Sequence, residues 1–200
     1  IRSRNNSLTA GDIGYRYLLR VLEEEGRSDV IFEMNSRTDV PGYGYQLAKG
    51  ATALTESWAA LPTVSNNHLM LGHLMEWFYS GLGGIRASKD AVGFNKIDIR
   101  PEPVGDVTFA KTSYQSVHGP ISTEWKKQEN SFELNVQIPP NIVSVIYVPA
   151  NQSDIVKEGN RIVSEQGDLE ILGYEEGRLK IKAGSGSYRF TVTSSSSLSK

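Results

Sequence analysis

Phe132-Glu133-Leu134-Asn135-Val136-Gln137-Ile138 runs apolar, polar, apolar without a break, and it sets the character of the second half of this chain of 200 residues. That is the period of a strand with one face in a core and the other toward water. Pro139-Pro140 ends it, because proline has no N–H to give to a ladder. Upstream, Lys96-Ile97-Asp98-Ile99-Arg100 alternates in the same way. Downstream, Val143 to Val148 is a nearly continuous β-branched run, the pattern of a strand buried on both faces. Leu169-Glu170-Ile171-Leu172, Leu179-Lys180-Ile181-Lys182 and Tyr188-Arg189-Phe190-Thr191-Val192 are three more strands, and Glu176-Gly177 predicts a hairpin turn between two of them. Strands at this spacing, with Gly, Pro and Asn turns, predict an antiparallel β-sandwich. The Ser194-Ser195-Ser196-Ser197 tail is expected to fray.

Upstream of about residue 92 the period is 3.6 instead. Thr9 can cap a helix whose first turn holds Asp12, where a carboxylate meets the positive end of the dipole. Gly14, Leu18, Val21 and Leu22 lie along one face, Tyr15 and Leu19 on its flank, and Gly26 follows Glu25 as the stop. Ser28-Asp29 opens a shorter helix through Val30, Ile31 and Met34. Residues 38–50, with Pro41, Gly42, Gly44 and Gly50 around Tyr43 and Tyr45, predict loop or short strand, not helix. After the cap residues Ser65-Asn66-Asn67, Leu69 to Leu82 predicts a strong helix with Leu71, Leu74, Met75, Phe78 and Leu82 at helical spacing, widened by Met70 and Trp77. The fold class is therefore α+β in two parts: helices over residues 1–88, then the sandwich over residues 89–200. Two or three helices cannot close a core alone, so partners from further upstream or from a second copy are expected.

Net charge is −2 with both signs mixed, so no basic patch points to nucleic acid or to an anionic membrane. No apolar run is long enough to span a bilayer. There is no cysteine, which excludes a disulfide framework and a thiolate metal site. His68 and His73 fall on different helix faces, and with His118 they show no ligand spacing, so neither a metal nor any other cofactor is expected. The chain begins at Ile1 rather than Met and enters a helical pattern almost at once, as a processed piece or fragment would.

The chemistry gathers in Gly50-Ala51-Thr52-Ala53-Leu54-Thr55-Glu56-Ser57-Trp58, followed closely by Ser65-Asn66-Asn67-His68. A carboxylate can move a proton or meet an oxocarbenium-like charge, while an indole stacks on the apolar face of a pyranose. The plainer reading stands beside it: Glu56 as a solvated or capping acid, Trp58 as core, and Glu76 as a solvent-facing or supporting acid within an apolar helix. For Tyr43 and Tyr45, core and ligand roles both remain open.

In order along residues 8–85, the chain resembles the inverting bacterial α-L-rhamnosidases, glycoside hydrolase family 78. The likeness is carried by Gly11-Asp12 to Leu22, Thr38-Asp39, Pro41-Gly42-Tyr43-Gly44-Tyr45, Gly50-Ala51-Thr52, Glu56, Trp58, Asn67-His68, Met70, Gly72, Glu76-Trp77-Phe78-Tyr79 and Gly84-Ile85. It continues more loosely from Ala87 to Ala150, and little of it is visible beyond residue 151. The resemblance implies the last helices of an (α/α)6 barrel followed by the family's C-terminal β-sandwich. It implies Glu56 as general base, Trp58 and His68 in the rhamnose pocket, and Tyr43 and Tyr45 in a loop close to it. It implies rhamnose-containing glycosides as partners, the rest of the barrel upstream, and a periplasmic or extracellular setting. In this family the general acid also lies upstream, although Asp39 and Glu76 are acids in the neighbourhood. Thr55 departs from the Trp usual before this Glu, and His73 and Met75 depart from the residues usual in that helix. The competing reading is a non-catalytic carbohydrate-binding or structural module, in which Trp125, Tyr114 or Tyr147 of the sandwich stack on sugar.

Overall fold

The computed structural model describes residues 5–165, 167 and 169–194, which divide into two compact units with the boundary between Phe78 and Tyr79. The serines expected to fray, Ser195 to Ser197, lie outside the described residues.

The first unit is helical. α1 spans Asp12–Glu24 and α2 Ser28–Ser36, with Gly26 at φ +66° in the turn between them. The start of α1 differs from expectation: Gly11 occupies the cap position and no side chain caps it. Its buried face is Tyr15, Leu19 and Leu22, while Val21 is 56% exposed. α3, Tyr43–Ala48, is a helix where loop or short strand is expected. Gly44 explains it: a Cβ there would sit 2.5 Å from the Arg37 carbonyl oxygen, so glycine lets this turn lie against the end of α2. Buried Gln46 then donates to the Ser57 carbonyl at 3.2 Å.

The long helix expected over residues 69–82 is broken into a 3-10 turn Leu69–Leu71, a short α4 Leu74–Trp77 and a π turn Phe78–Leu82. The break falls at Gly72-His73, where glycine adds no helix-stabilising side chain. Leu71, Leu74 and Trp77 are buried, and Met75, expected inside, is 57% exposed. The Trp77 indole N–H donates to the Ser28 hydroxyl at 3.0 Å.

The second unit is a sandwich. One sheet orders its strands β1 (Ile85–Ala87), β2 (Lys96–Ile99), β6 (Val143–Pro149), β10 (Arg178–Ala183), β9 (Glu170–Glu175). The other orders β3 (Phe109–Ser116), β4 (Gly119–Lys127), β5 (Ser131–Ile138), β11 (Gly186–Thr193), β7 (Ile155–Glu158), β8 (Arg161–Ile162). Pairing is antiparallel except β2 with β6, which run parallel. Glu176 and Gly177, at φ +48° and +70°, make the expected β9–β10 hairpin turn with the positive φ pair that matches strand twist. β6 is not buried on both faces: Ser144, Ile146 and Val148 are buried, while Val143 is exposed and Val145 and Tyr147 are half-buried. β3 and β4 were not marked by the alternation, yet Ile121, Thr123 and Trp125 of β4 all point inward.

The core joins Ile97, Ile99, Ile146 and Ile181 from the first sheet with Trp125, Leu134 and Phe190 from the second. Each such side chain contributes about 1.5–3 kcal/mol on burial. At one edge the buried Glu102 carboxylate receives Arg178 at 2.6 Å and Arg100 at 3.4 Å. Burial holds the Arg178 guanidinium below its ordinary pKa, with Glu102 opposing that shift.

Candidate active site

The loop between α3 and the Leu69–Leu71 turn is pinched at its neck. The Glu56 N–H donates to the Ser65 carbonyl, and the His68 N–H to the Leu54 carbonyl, both at 2.8 Å. These bonds put Glu56 and His68 on facing limbs of one short ladder. Ser65 N–H in turn donates to Glu56 Oε2 at 3.1 Å. The Glu56 side chain is exposed and forms no ion pair among the described residues. A carboxylate held by one backbone donor keeps lone pairs free to accept a proton from water.

The turn that carries Glu56 and Trp58 is fixed from beneath. Thr55 is buried, and its hydroxyl donates to the Ser57 carbonyl at 2.6 Å, the same oxygen that Gln46 reaches. The residue that departs from the family pattern is thus a clamp for the backbone beside the acid.

Trp58 donates its indole N–H to the Ala10 carbonyl at 2.7 Å. Its ring meets Tyr15 edge-on at 5.0 Å and Tyr43 at 5.2 Å between centroids. The Tyr15 hydroxyl donates to Asn35 Oδ1 at 2.7 Å, and Asn35 Nδ2 donates to the Ile31 carbonyl at 2.7 Å. Burial pushes the Tyr15 and Tyr43 hydroxyls above their ordinary pKa, so both stay neutral. His68 Nε2 lies 3.7 Å from Asp12 Oδ2.

The structure therefore brings Trp58 and Tyr43 together and holds Glu56 and His68 in one short ladder, Glu56 paired with Ser65 and His68 with Leu54. Tyr45 joins neither group; its ring takes the Lys49 ammonium at 5.3 Å. Tyr15 and Asp12, read in the sequence only as helix residues, enter the neighbourhood of the site. They lie on α1, far from the loop in the chain, and no spacing rule links the two.

The nearby acids are committed elsewhere. Glu76 meets Arg16 at 3.0 Å with both side chains about half exposed (50% and 51%). Asp39 takes Arg37 through two bonds, at 2.9 and 2.5 Å, which hold its carboxyl below the usual range. A general acid needs the opposite shift. Among the described residues no group of three or more His, Asp or Glu could hold a metal ion.

Two cavities among the described residues of the helical unit bear on this loop. The larger, about 530 Å³, is walled by Tyr43, Leu47, Leu74, Met75, Trp77 and Phe78. So apolar a wall suits packing against another element better than it suits a polyol. The second, about 290 Å³, has Thr55 and Asn66 in its wall. Glu56 lines neither.

The aromatics of the competing reading are differently placed. Trp125 is fully buried, with its N–H on the Leu82 carbonyl at 2.8 Å, and cannot serve as a sugar platform. Tyr114 packs on Phe94 at 4.7 Å, and Tyr147 lies between Arg100 and Lys180.

Residues 1–82 match the family described as the bacterial alpha-L-rhamnosidase 6 hairpin glycosidase domain, and residues 84–163 match the bacterial alpha-L-rhamnosidase C-terminal domain. This chain belongs to the bacterial α-L-rhamnosidase family. An alpha-L-rhamnosidase of Streptomyces avermitilis is 32% identical over 96% of this chain and 18% of its own length. The structure of alpha-L-rhamnosidase from Dictyoglumus thermophilum superposes with a TM-score of 0.84 at 35% identity, covering 94% of this chain and 21% of that one. The Streptomyces avermitilis alpha-L-rhamnosidase complexed with L-rhamnose gives 0.85 at 31% identity, covering 96% of this chain and 19% of that one. The chain thus spans about a fifth of the length of the rhamnosidases it matches. Few helices followed by a sheet-rich domain is the arrangement that a six-hairpin domain and its C-terminal sandwich require.

Proposed function

We propose that this chain supplies the general base and part of the sugar pocket to an enzyme that releases terminal α-L-rhamnose with inversion. The observation that carries this reading is the pinched neck that holds Glu56 and His68 in one short ladder, next to the turn bearing Trp58. Glu56 takes a proton from water as that water attacks the anomeric carbon. Trp58 and Tyr43 offer apolar ring faces, and His68, with Asp12 behind it, offers a hydrogen bond to a sugar hydroxyl. The sugar named in the Streptomyces avermitilis complex supports rhamnose as the unit recognised. Residues 1–88 act as the end of the barrel and residues 89–200 as the sandwich that follows it.

Inversion needs a second carboxyl on the opposite side of the scissile bond, typically about 6.5–9.5 Å from the base. Asp39 and Glu76 are each tied to an arginine, so that acid belongs to the remainder of the barrel. The 200 residues alone are therefore expected not to hydrolyse an aryl rhamnoside. Enzyme-like turnover by the isolated chain would overturn the division of labour. In the full-length polypeptide, Glu56→Gln tests the base, and NMR of the first-formed product anomer tests inversion. Near-normal turnover in the variant removes Glu56 from the role.

A further inference from the structure

Two buried polar side chains lie beside the acid without touching the space above it. Thr55 and Gln46 are 1% and 3% exposed. Both donate to one acceptor: the Thr55 hydroxyl reaches the Ser57 carbonyl at 2.6 Å and the Gln46 amide reaches it at 3.2 Å. The Ala60 N–H reaches the same oxygen at 2.9 Å. That third bond alone closes the turn from Ser57 to Ala60, since a tight turn needs only the bond from its first carbonyl to its fourth N–H. The side-chain donors are therefore more than the local backbone requires. A buried hydroxyl and a buried amide cost free energy to desolvate unless they are bonded. An apolar side chain of similar size at either position would fill the space without that cost, so packing does not explain them.

What they explain is the place of Glu56. The bond from Thr55 to Ser57 spans Glu56 itself, so it fixes the arc of backbone from which the carboxylate projects. Gln46 comes from α3, and its amide ties that arc to a separate element. On the other limb, the Glu56 N–H donates to the Ser65 carbonyl and the Ser65 N–H to Glu56 Oε2. Trp58 has anchors of its own: its indole N–H bonds the Ala10 carbonyl, and its ring meets Tyr15 and Tyr43. Loss of the clamp at Ser57 therefore falls on the carboxylate more than on the indole.

We propose that Thr55 and Gln46 are positioning residues for the hydrolysis: through the Ser57 carbonyl they hold the Glu56 carboxylate where it meets the attacking water. They act through the backbone and touch no substrate. This rests on Glu56 being the base. A base does its work only as water attacks, so its placement is felt in the transition state and not in the binding of substrate. A misplacement of about 1 Å can cost on the order of 10²-fold in rate. The loss then appears in kcat while KM stays put.

The test uses the full-length enzyme and an aryl α-L-rhamnoside, assayed well below the Tm of each variant. Thr55→Val keeps the branched shape and removes the donor. It should lower kcat by about tenfold or more and leave KM within about twofold. Thr55→Ser keeps the hydroxyl and should stay within about threefold of the parent kcat. Gln46→Met should lower kcat by about threefold or more, a smaller loss because its bond is the longer one; it serves if Thr55→Val unfolds. The proposal is overturned if the donor-less variants lower Tm and keep the parent kcat, if KM rises in place of the fall in kcat, or if Thr55→Ser loses as much kcat as Thr55→Val. Glu56→Gln separates the two ideas. Near-normal turnover in that variant ends the base assignment and the positioning role with it. An inactive Glu56→Gln beside fully active Thr55→Val and Gln46→Met ends the positioning role alone.

Discussion

In the sandwich, large apolar side chains from both sheets meet in one buried cluster that includes Trp125, Ile146 and Phe190, while others such as Phe109 and Val143 stay exposed. In the helical unit, Ile13, Tyr17 and Val21 form an exposed row on the outer side of α1, and Leu47, Met75 and Phe78 stand open around the apolar cavity. The row has the spacing of a single helix face, so α1 is apolar on two sides and buries only one here. Uncovered apolar surface of that kind is what a helix shows when its packing partners come from elsewhere. The sandwich carries its own core, whereas the helical unit leaves one apolar face of α1 and the rim of its cavity exposed. A chain that spans about a fifth of its relatives would show this contrast.

The contrast can be broken or sharpened by substitution. The largest effect is expected at Glu56→Gln: turnover of an aryl rhamnoside by the full-length enzyme should fall by about 10²–10⁴-fold, the range for a lost general base. Thermal unfolding should stay put, since the exposed carboxylate gives up only its bond to Ser65. Trp125→Ala should do the reverse. It opens a large void in the sandwich and frees the Leu82 carbonyl, costing about 3–5 kcal/mol in denaturant unfolding. If both variants moved the same observable, the division between chemical and structural halves would fail.

Tyr15→Phe ranks third. It leaves the buried Asn35 Oδ1 without its 2.7 Å donor, at a cost of about 1–3 kcal/mol. It should also disturb Trp58 fluorescence, because the two rings touch. The smallest change is Glu76→Gln, which breaks an ion pair with Arg16 that is half in water and should alter stability by at most about 1 kcal/mol. A loss of activity there as large as at Glu56 would mean that Glu76 does chemistry in the assembled barrel.

Much of this was legible in the residues because it is local. Strict alternation gave β5, β10 and β11, and Glu176-Gly177 gave the β9–β10 hairpin turn, since strand period and positive φ belong to a few neighbouring residues. The breaks in the predicted 69–82 helix and the helix at Tyr43–Ala48 were not legible. Apolar spacing argued for the one and glycine content against the other, but Gly72 interrupts the first and the approach of Gly44 to α2 permits the second. β3 and β4 were missed because β3 carries an apolar Phe109 on its outer face and an exposed Tyr114 on its inner one, which blurs the alternation.

For the candidate site, the sequence supplied Glu56, Trp58 and His68 as a set, because all three fall in one loop and match one family pattern. It could not supply their neighbours. Tyr15, Asp12 and Asn35 reach that loop only because α1 and α2 fold beside it, and the clamp at Ser57 exists only where Thr55 and Gln46 converge on one carbonyl. Residue order alone fixed the class of fold and the chemical groups available, since both depend on patterns a few residues long. Which groups touch, which acids are already spent on arginines and where a cavity opens were decided by packing between segments distant in the chain, where no local pattern reaches.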